Sequence, residues 1–269
     1  MQDNHGRVTQ DGIRIYEPAD FAGMRAAGRA AAEILDTVAA LVAPGVTTAA
    51  LDDFIRAEIE RLGVVSATIG YKGYQHASCI SVNHVVCHGI PGNKVLADGD
   101  ILNIDVTVIL DGWYGDSSRM YVAGALSRKA ERLIEVTHES LMRGIAAVKP
   151  GNTFGDIGFA IQSYVEAQRM SVVRDFCGHG LGLVFHAPPN VLHYGRAGKG
   201  PVLEEGMFFT IEPMVNLGRP DTKILADDWT AVTRDKSLSA QYEHSIGVTA
   251  EGCEIFTLSP AGRFHPTYG

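Results

Sequence analysis

The segment Val42-Ala43-Pro44-Gly45-Val46-Thr47 returns 106 positions later as Val148-Lys149-Pro150-Gly151-Asn152-Thr153. Over residues 33–60 at that offset, nine of 28 positions are identical, among them Glu33/Glu139, Leu35/Leu141, Ile55/Ile161 and Glu60/Glu166. Ordinary residue usage would supply roughly two. One position further along, Leu96, Gly99 and Ile104 recur as Leu203, Gly206 and Ile211, and Asp105 recurs as the acid Glu212. The chain therefore reads as two related halves, about 20–125 and 126–258. Each is a helix, a Pro-Gly turn, a second helix and a run of strands. The period is too long for a solenoid, whose units repeat every ~20–50 residues. It predicts a duplicated α+β fold in which both halves share one sheet and one core. That gives a single domain over 18–258, preceded by an arm (1–17) and followed by a tail (259–269).

Local signals fill in the elements. Pro18 near the start, abundant Ala and the Pro44-Gly45 stop predict a helix over 18–43. Leu51, Phe54, Ile55, Ile59 and Leu62 recur at spacings of three and four, which predicts a second helix. Residues 101–109 and 113–122 flank Asp111-Gly112, a strong hairpin signal. Ser127 is placed to cap a helix running to about Val148. Another helix follows Pro150-Gly151, and short strand-like runs dominate after residue 171. The first dozen residues read as a loose arm.

Composition narrows the function. Of 269 residues, 46% are hydrophobic and 20% charged, which excludes disorder, collagen and coiled coil as the main architecture. With 23 Lys+Arg against 31 Asp+Glu, the net charge is −8, which argues against nucleic acid or an anionic membrane as the main partner. No apolar run reaches the ~18 residues of a membrane span, and the polar start of the chain has no secretory signal. Cys79, Cys87, Cys177 and Cys253 form no C-x-x-C pair. They read as free thiols in a reducing, cytoplasmic compartment. No long heptad run points to an oligomer, so a monomer is expected.

The chemistry begins at Asp105, a carboxylate inside the apolar run Ile101-Leu-Asn-Ile-Asp105-Val-Thr-Val-Ile-Leu110. Such a group costs several kcal/mol unless it is paired or bound to a cation. A two-residue turn at 111–112 places residue 116 opposite 107. Asp105 and Asp116 then share a face, one diagonal step apart. Two carboxylates that close repel and call for a cation between them. The second half adds His179 between glycines, Glu212 before Pro213, and Glu243 in the strand-like run 240–248. His244, one residue on, points to the opposite face. Two Asp, one His and two Glu form a hard N/O set suited to Mn, Fe, Co or Zn. Four carboxylates are too many for one catalytic zinc and fit two divalent ions with bridging carboxylates.

The segments Gly70-Tyr-Lys-Gly-Tyr74, Cys79-Ile-Ser-Val-Asn83, Val86-Cys-His88-Gly-Ile-Pro-Gly92, Asp100-Ile-Leu-Asn-Ile-Asp105, Gly115-Asp116-Ser-Ser-Arg-Met120, Gly178-His179-Gly-Leu-Gly182, Thr210-Ile-Glu212-Pro213 and Gln241-Tyr-Glu243-His244 closely resemble the type I methionine aminopeptidase family. The likeness runs from about residue 16 to 258. It implies a pita-bread fold, with two pseudo-symmetric α/β halves around a central antiparallel sheet. It also implies removal of the initiator Met from nascent chains whose second residue is small. By this resemblance Asp105 chelates one metal, Asp116 and Glu243 bridge both, and His179 and Glu212 complete the other ion. A water or hydroxide bridging the metals is then the nucleophile. His186 steadies the substrate carbonyl region, His88 lies near the scissile amide nitrogen, and Glu212 also shuttles the proton. Tyr71, Tyr74, Cys79, Phe185 and Trp229, with Thr68 at the edge, would form the slot for the Met side chain.

Two positions depart from the family pattern. Ala187 stands where Glu usually follows the histidine, and Thr68 stands where many relatives carry Cys. Other readings remain beside this one: an Xaa-Pro aminopeptidase or prolidase-like peptidase, a dinuclear phosphohydrolase, and a non-catalytic peptide- or ribosome-binding relative. The basic cluster Arg128, Lys129 and Arg132 offers a transient ribosome contact or simply a solvated helix face.

Overall fold

The computed structural model describes residues 5–265. Residues 1–4 of the expected arm and 266–269 of the expected tail lie outside the described part. Helix α1 spans Phe21–Val38 and α2 spans Thr48–Leu62. The helix expected over 18–43 is shorter because tight 3-10 turns, Pro18–Asp20 and Ala39–Leu41, take up its two ends. Helix α3 (Arg128–Ala146) starts where the Ser127 side chain accepts from the Ala130 N–H. Helix α4 (Phe154–Ala167) starts with a capping box between Thr153 and Asp156.

The repeated sequence encodes a repeated turn. Gly45 N donates to Leu96 O at 2.8 Å, and Gly151 N donates to Leu203 O at 3.1 Å. Thr47 bridges Val95, and Thr153 bridges Val202. Both glycines adopt φ near +90°, 91° at Gly45 and 88° at Gly151, a conformation that a Cβ would strain.

A long antiparallel hairpin, Asp100–Leu110 with Trp113–Ala123, carries the first half. Asp111 and Gly112 turn it with φ of 50° and 86°, and Thr107 pairs with Asp116 as the spacing predicts. Cys79–Val82 pairs along the other edge of Asp100–Leu110 and sets Cys79 opposite Asp105. In the second half, Phe208–Ile211 lies between His244–Val248 and Gly178–Gly180, again antiparallel. The halves meet where Glu243 N donates to Ser118 O at 3.0 Å and Ser245 Oγ donates to Asp116 O at 2.6 Å.

Two expectations need correction. The sheet is not one continuous ladder but several short sheets joined at that seam. Pro213 has no N–H to offer, and pairing stops at Ile211 and resumes at Met214. Nor is there one core. Ile34, Leu35, Leu51 and Ile55 pack on Ile104 and Val106. A separate cluster sets Leu133, Ile157 and Ile161 against Phe209 and Ile211. The second cluster also takes in Ile101 and Met120 of the long hairpin, and a third joins Phe21, Met24 and Trp113 to Phe208 and Phe256, so packing crosses between the halves. No described helix is long and apolar enough to cross a membrane.

Over its described residues the arm is also not loose. Arg7–Val8 pairs with Arg14–Ile15, Ile15 bridges Met207, and Tyr16 N donates to Gly206 O at 2.8 Å. Ile13 and Tyr16 are apolar enough to hold it, and both are buried. At the other end, Ser259 Oγ donates to both oxygens of Asp36 on α1, at 2.7 and 2.9 Å. Asp36 is itself ion-paired with Arg119 of the long hairpin.

Candidate metal centre

Between the halves lies a cavity of about 770 Å³. Every residue singled out from the sequence as a site residue lines it: Thr68, Tyr71, Tyr74, Cys79, His88, Asp105, Asp116, His179, Phe185, His186, Glu212, Trp229 and Glu243. One part of its wall is acidic. Asp105 and Asp116 come from the two arms of the long hairpin, His179 from Gly178–Gly180, and Glu212 from the residue after Phe208–Ile211. Glu243 sits between Ser239–Gln241 and His244–Val248, held by the backbone of Ser118.

The donor geometry suits a cation. One ligand atom from each of Asp116, His179 and Glu243 lies within 4.8 Å of the others. His179 Nε2 is 3.5 Å from Asp116 Oδ2 and 3.7 Å from Glu212 Oε1. His179 Nδ1 lies 3.2 Å from Gly180 O; with Nδ1–H donating there, the Nε2 lone pair faces the carboxylates. Among the described residues, no side-chain or backbone donor reaches the carboxylates of Asp105 or Glu243. Carboxylates that line a cavity with no protein donor on them, beside an oriented imidazole, are what a metal site requires.

Electrostatics say the same. Burial and then the Asp116 charge push Asp105 well above the carboxylate range. Burial, Asp116, Glu212 and Asp105 do the same to Glu243. Burial carries Glu212 up to about 7, although the His179 charge pulls it down. Burial alone would lower His179; its hydrogen bond with Asp116 and the charge of Glu212 raise it instead. Without a positive partner the cluster resists full ionisation.

The rest of the wall is aromatic. Tyr74 lies 5.0 Å from the Trp229 ring, and its hydroxyl donates to Ser78 O at 2.9 Å. Tyr71 lies 4.9 Å from Phe185. Thr68 turns its hydroxyl away, donating to His76 O at 2.8 Å. His88, in the left-handed region at φ 57°, meets Phe176 and Trp229 edge-on. Burial lowers His88, and burial followed by the His179 charge lowers His186 to about 4, so both rings are neutral near pH 7.

Some neighbours escaped the sequence reading. Thr107 donates to Asp116 Oδ1 at 2.7 Å, Thr210 to Glu212 Oε1 at 2.9 Å, and Gln241 Nε2 to Glu212 Oε2 at 3.3 Å. The signal was present for two of them. Thr107 is the cross-strand partner of Asp116, and Thr210 lies two residues before Glu212 on the same face. His244 points away, with its Nδ1 2.8 Å from Thr257 Oγ1, as its position after Glu243 implies. Arg128, Lys129 and Arg132 are exposed on α3, outside the cavity wall.

The model of metallopeptidase family M24 matches residues 22–250. This chain belongs to metallopeptidase family M24. Within the family it is similar to the methionine aminopeptidase of Rickettsia prowazekii, at 56% identity over 257 residues, covering 95% of this chain and 99% of that one. It is 52% identical to the methionine aminopeptidase of Escherichia coli K12 over 251 residues, covering 91% and 94%. The crystal structure of the R. prowazekii enzyme superposes with a TM-score of 0.91 at 57% identity, covering 91% of this chain and all of that one (100%). A prolidase from Pyrococcus horikoshii shares the fold alone, at 19% identity and a TM-score of 0.72. The pita-bread arrangement expected from the repeat and the motifs is the fold of this family, and this chain has it.

Proposed function

We propose that the chain hydrolyses the peptide bond after an N-terminal methionine, preferentially when the second residue is small, and so removes initiator Met from nascent proteins. The observation that carries this reading is one cavity with an acidic, imidazole-bearing wall beside an apolar slot of Tyr71, Tyr74, Cys79, Phe185 and Trp229. An unbranched thioether suits such a slot through contact with aromatic rings. Its relatives at 51–56% identity are named methionine aminopeptidases.

Asp105, Asp116, His179, Glu212 and Glu243 would hold two divalent ions from the Mn, Fe, Co and Zn group. Those ions supply Lewis acidity and an activated water. The chain's own groups do the rest. The slot binds the side chain and fixes the scissile bond against the acidic wall. His186 presents an N–H toward the substrate carbonyl, and His88 steadies the amide nitrogen. Glu212 carries the proton to the leaving amine. The same reading makes the chain a cytoplasmic monomer with transient ribosome contact.

The test incubates metal-reconstituted protein with Met-Ala-Ser and Xaa-Pro-Ala peptides, with and without chelator. Free Met released only from the first peptide, and lost on chelation, is the expected result. Cleavage before Pro, or no turnover with any of the four metals, overturns the reading.

A further inference from the structure

Tyr71 does more in this cavity than offer a ring. Its hydroxyl lies 3.0 Å from His186 Nδ1, and the two rings stack at 5.3 Å with planes 24° apart. Among the described residues neither the Tyr71 hydroxyl nor the His186 ring has another hydrogen-bond partner. We propose that Tyr71 is a positioning residue that fixes the tautomer of His186: its O–H donates to Nδ1, so the ring proton resides on Nε2.

A neutral imidazole has one donor nitrogen and one acceptor nitrogen, and a hydrogen bond to one decides the role of the other. With the phenol donating to Nδ1, Nε2 becomes the N–H. The ring lines the cavity whose wall carries Asp105, Asp116, Glu212 and Glu243, and its centroid is 4.2 Å from that of His179. A positive N–H edge is favoured there over a second lone pair. The opposite tautomer would point Nδ1–H at the phenol oxygen and present a lone pair from Nε2. That lone pair repels a carbonyl oxygen gaining negative charge, whereas an N–H stabilises it. The aromatic ring of Tyr71, packed 4.9 Å from Phe185, serves the slot independently of its hydroxyl. Ring and hydroxyl are therefore separable by one substitution.

This inference rests on the proposed peptidase activity only in its kinetic arm. The spectroscopic arm uses the metal-free full-length chain labelled with 15N-histidine. Long-range 15N–1H correlation should show His186, assigned by its loss in His186→Gln, protonated at Nε2. In Tyr71→Phe the proton should redistribute between the two nitrogens. A wild-type proton on Nδ1, or an unchanged pattern in Tyr71→Phe, overturns the proposal whatever the enzyme's substrate.

In the kinetic arm, Tyr71→Phe should lower kcat on Met-Ala-Ser about tenfold while KM moves less than about twofold, because the ring remains. In a His186→Gln background the same substitution should cost less than about twofold, since the group it orients is gone. A rise in KM at constant kcat, or full additivity of the two substitutions, shows a structural slot role and overturns the proposal. Absence of Met release in the wild type overturns the peptidase reading and leaves the spectroscopic arm to decide this one.

Discussion

Asp116 is the residue on which the acidic wall turns. It lies beside His179, accepts from Thr107, and adds to the charge that raises both Asp105 and Glu243. Removing it takes a ligand from the cation and a repelling charge from the metal-free protein. Asp116→Ala should therefore lose metal binding and activity, yet its metal-free thermal midpoint should not fall below wild type. A variant that still turns over Met-Ala-Ser contradicts the ligand role. Much of this was legible in the chain. Counting residues across Asp111-Gly112 put Asp105 and Asp116 on one face, and the structure pairs Thr107 with Asp116 accordingly. What counting did not weigh was the hydroxyl of Thr107 itself, because a β-branched residue in a strand reads first as a strand former.

Among the elements, α2 shapes the slot without lining it. Asp52 on its inner face is buried, and one carboxylate oxygen accepts from Ala77 N at 3.0 Å, Ser78 N at 2.9 Å and Ser78 Oγ at 2.7 Å. That turn separates Tyr74 from Cys79, so a helix outside the cavity sets the spacing of two slot walls. Asp52→Ala should cost about 3 kcal/mol of stability in urea unfolding and raise KM for Met peptides more than it lowers kcat. An unchanged KM shows the slot to be held by other contacts. The helix pattern predicted α2, but a single aspartate on its apolar side gave no hint of what it grips.

Helix α3 offers a pH-dependent counterpart. Burial, and then the His265 charge, lowers His138 below the ordinary imidazole value, and its ring meets Tyr242 edge-on at 5.1 Å. The folded state thus resists protonating His138, while the unfolded chain takes up a proton near pH 6.5. As pH falls below that value the unfolded state gains protons first, and stability is lost. Between pH 7.5 and 5.5 the thermal midpoint of His138→Gln should drop less than that of wild type. Equal slopes refute the assignment.

At the scale of the whole molecule, the proposed ligands divide between the halves, Asp105 and Asp116 from one, His179, Glu212 and Glu243 from the other. A cation binding there staples the seam. At 100-fold excess over Kd it should add about 2.7 kcal/mol for one site, shifting the thermal midpoint up by roughly 5–10 °C in a single transition. Titration calorimetry should count two ions per chain, and a stoichiometry of one refutes the dinuclear assignment. The duplication that predicts such a seam is plain in the repeated Pro-Gly-x-Thr segments. The separation of the core into several clusters was not legible. Apolar periodicity tells which face of a helix is buried but not which sheet buries it.

The crossed ends of the chain bear on how it is made. Ile13 is packed with the helices of the second half, and Ser259 returns to Asp36 on the first helix. Each half thus carries the other's terminus. During synthesis the opening hairpin has no strand to dock on until Met207 has emerged, and α1 waits for Ser259. The first half is therefore not a finished product when it leaves the ribosome, and a chain cut between the halves would strip each of the terminus it carries.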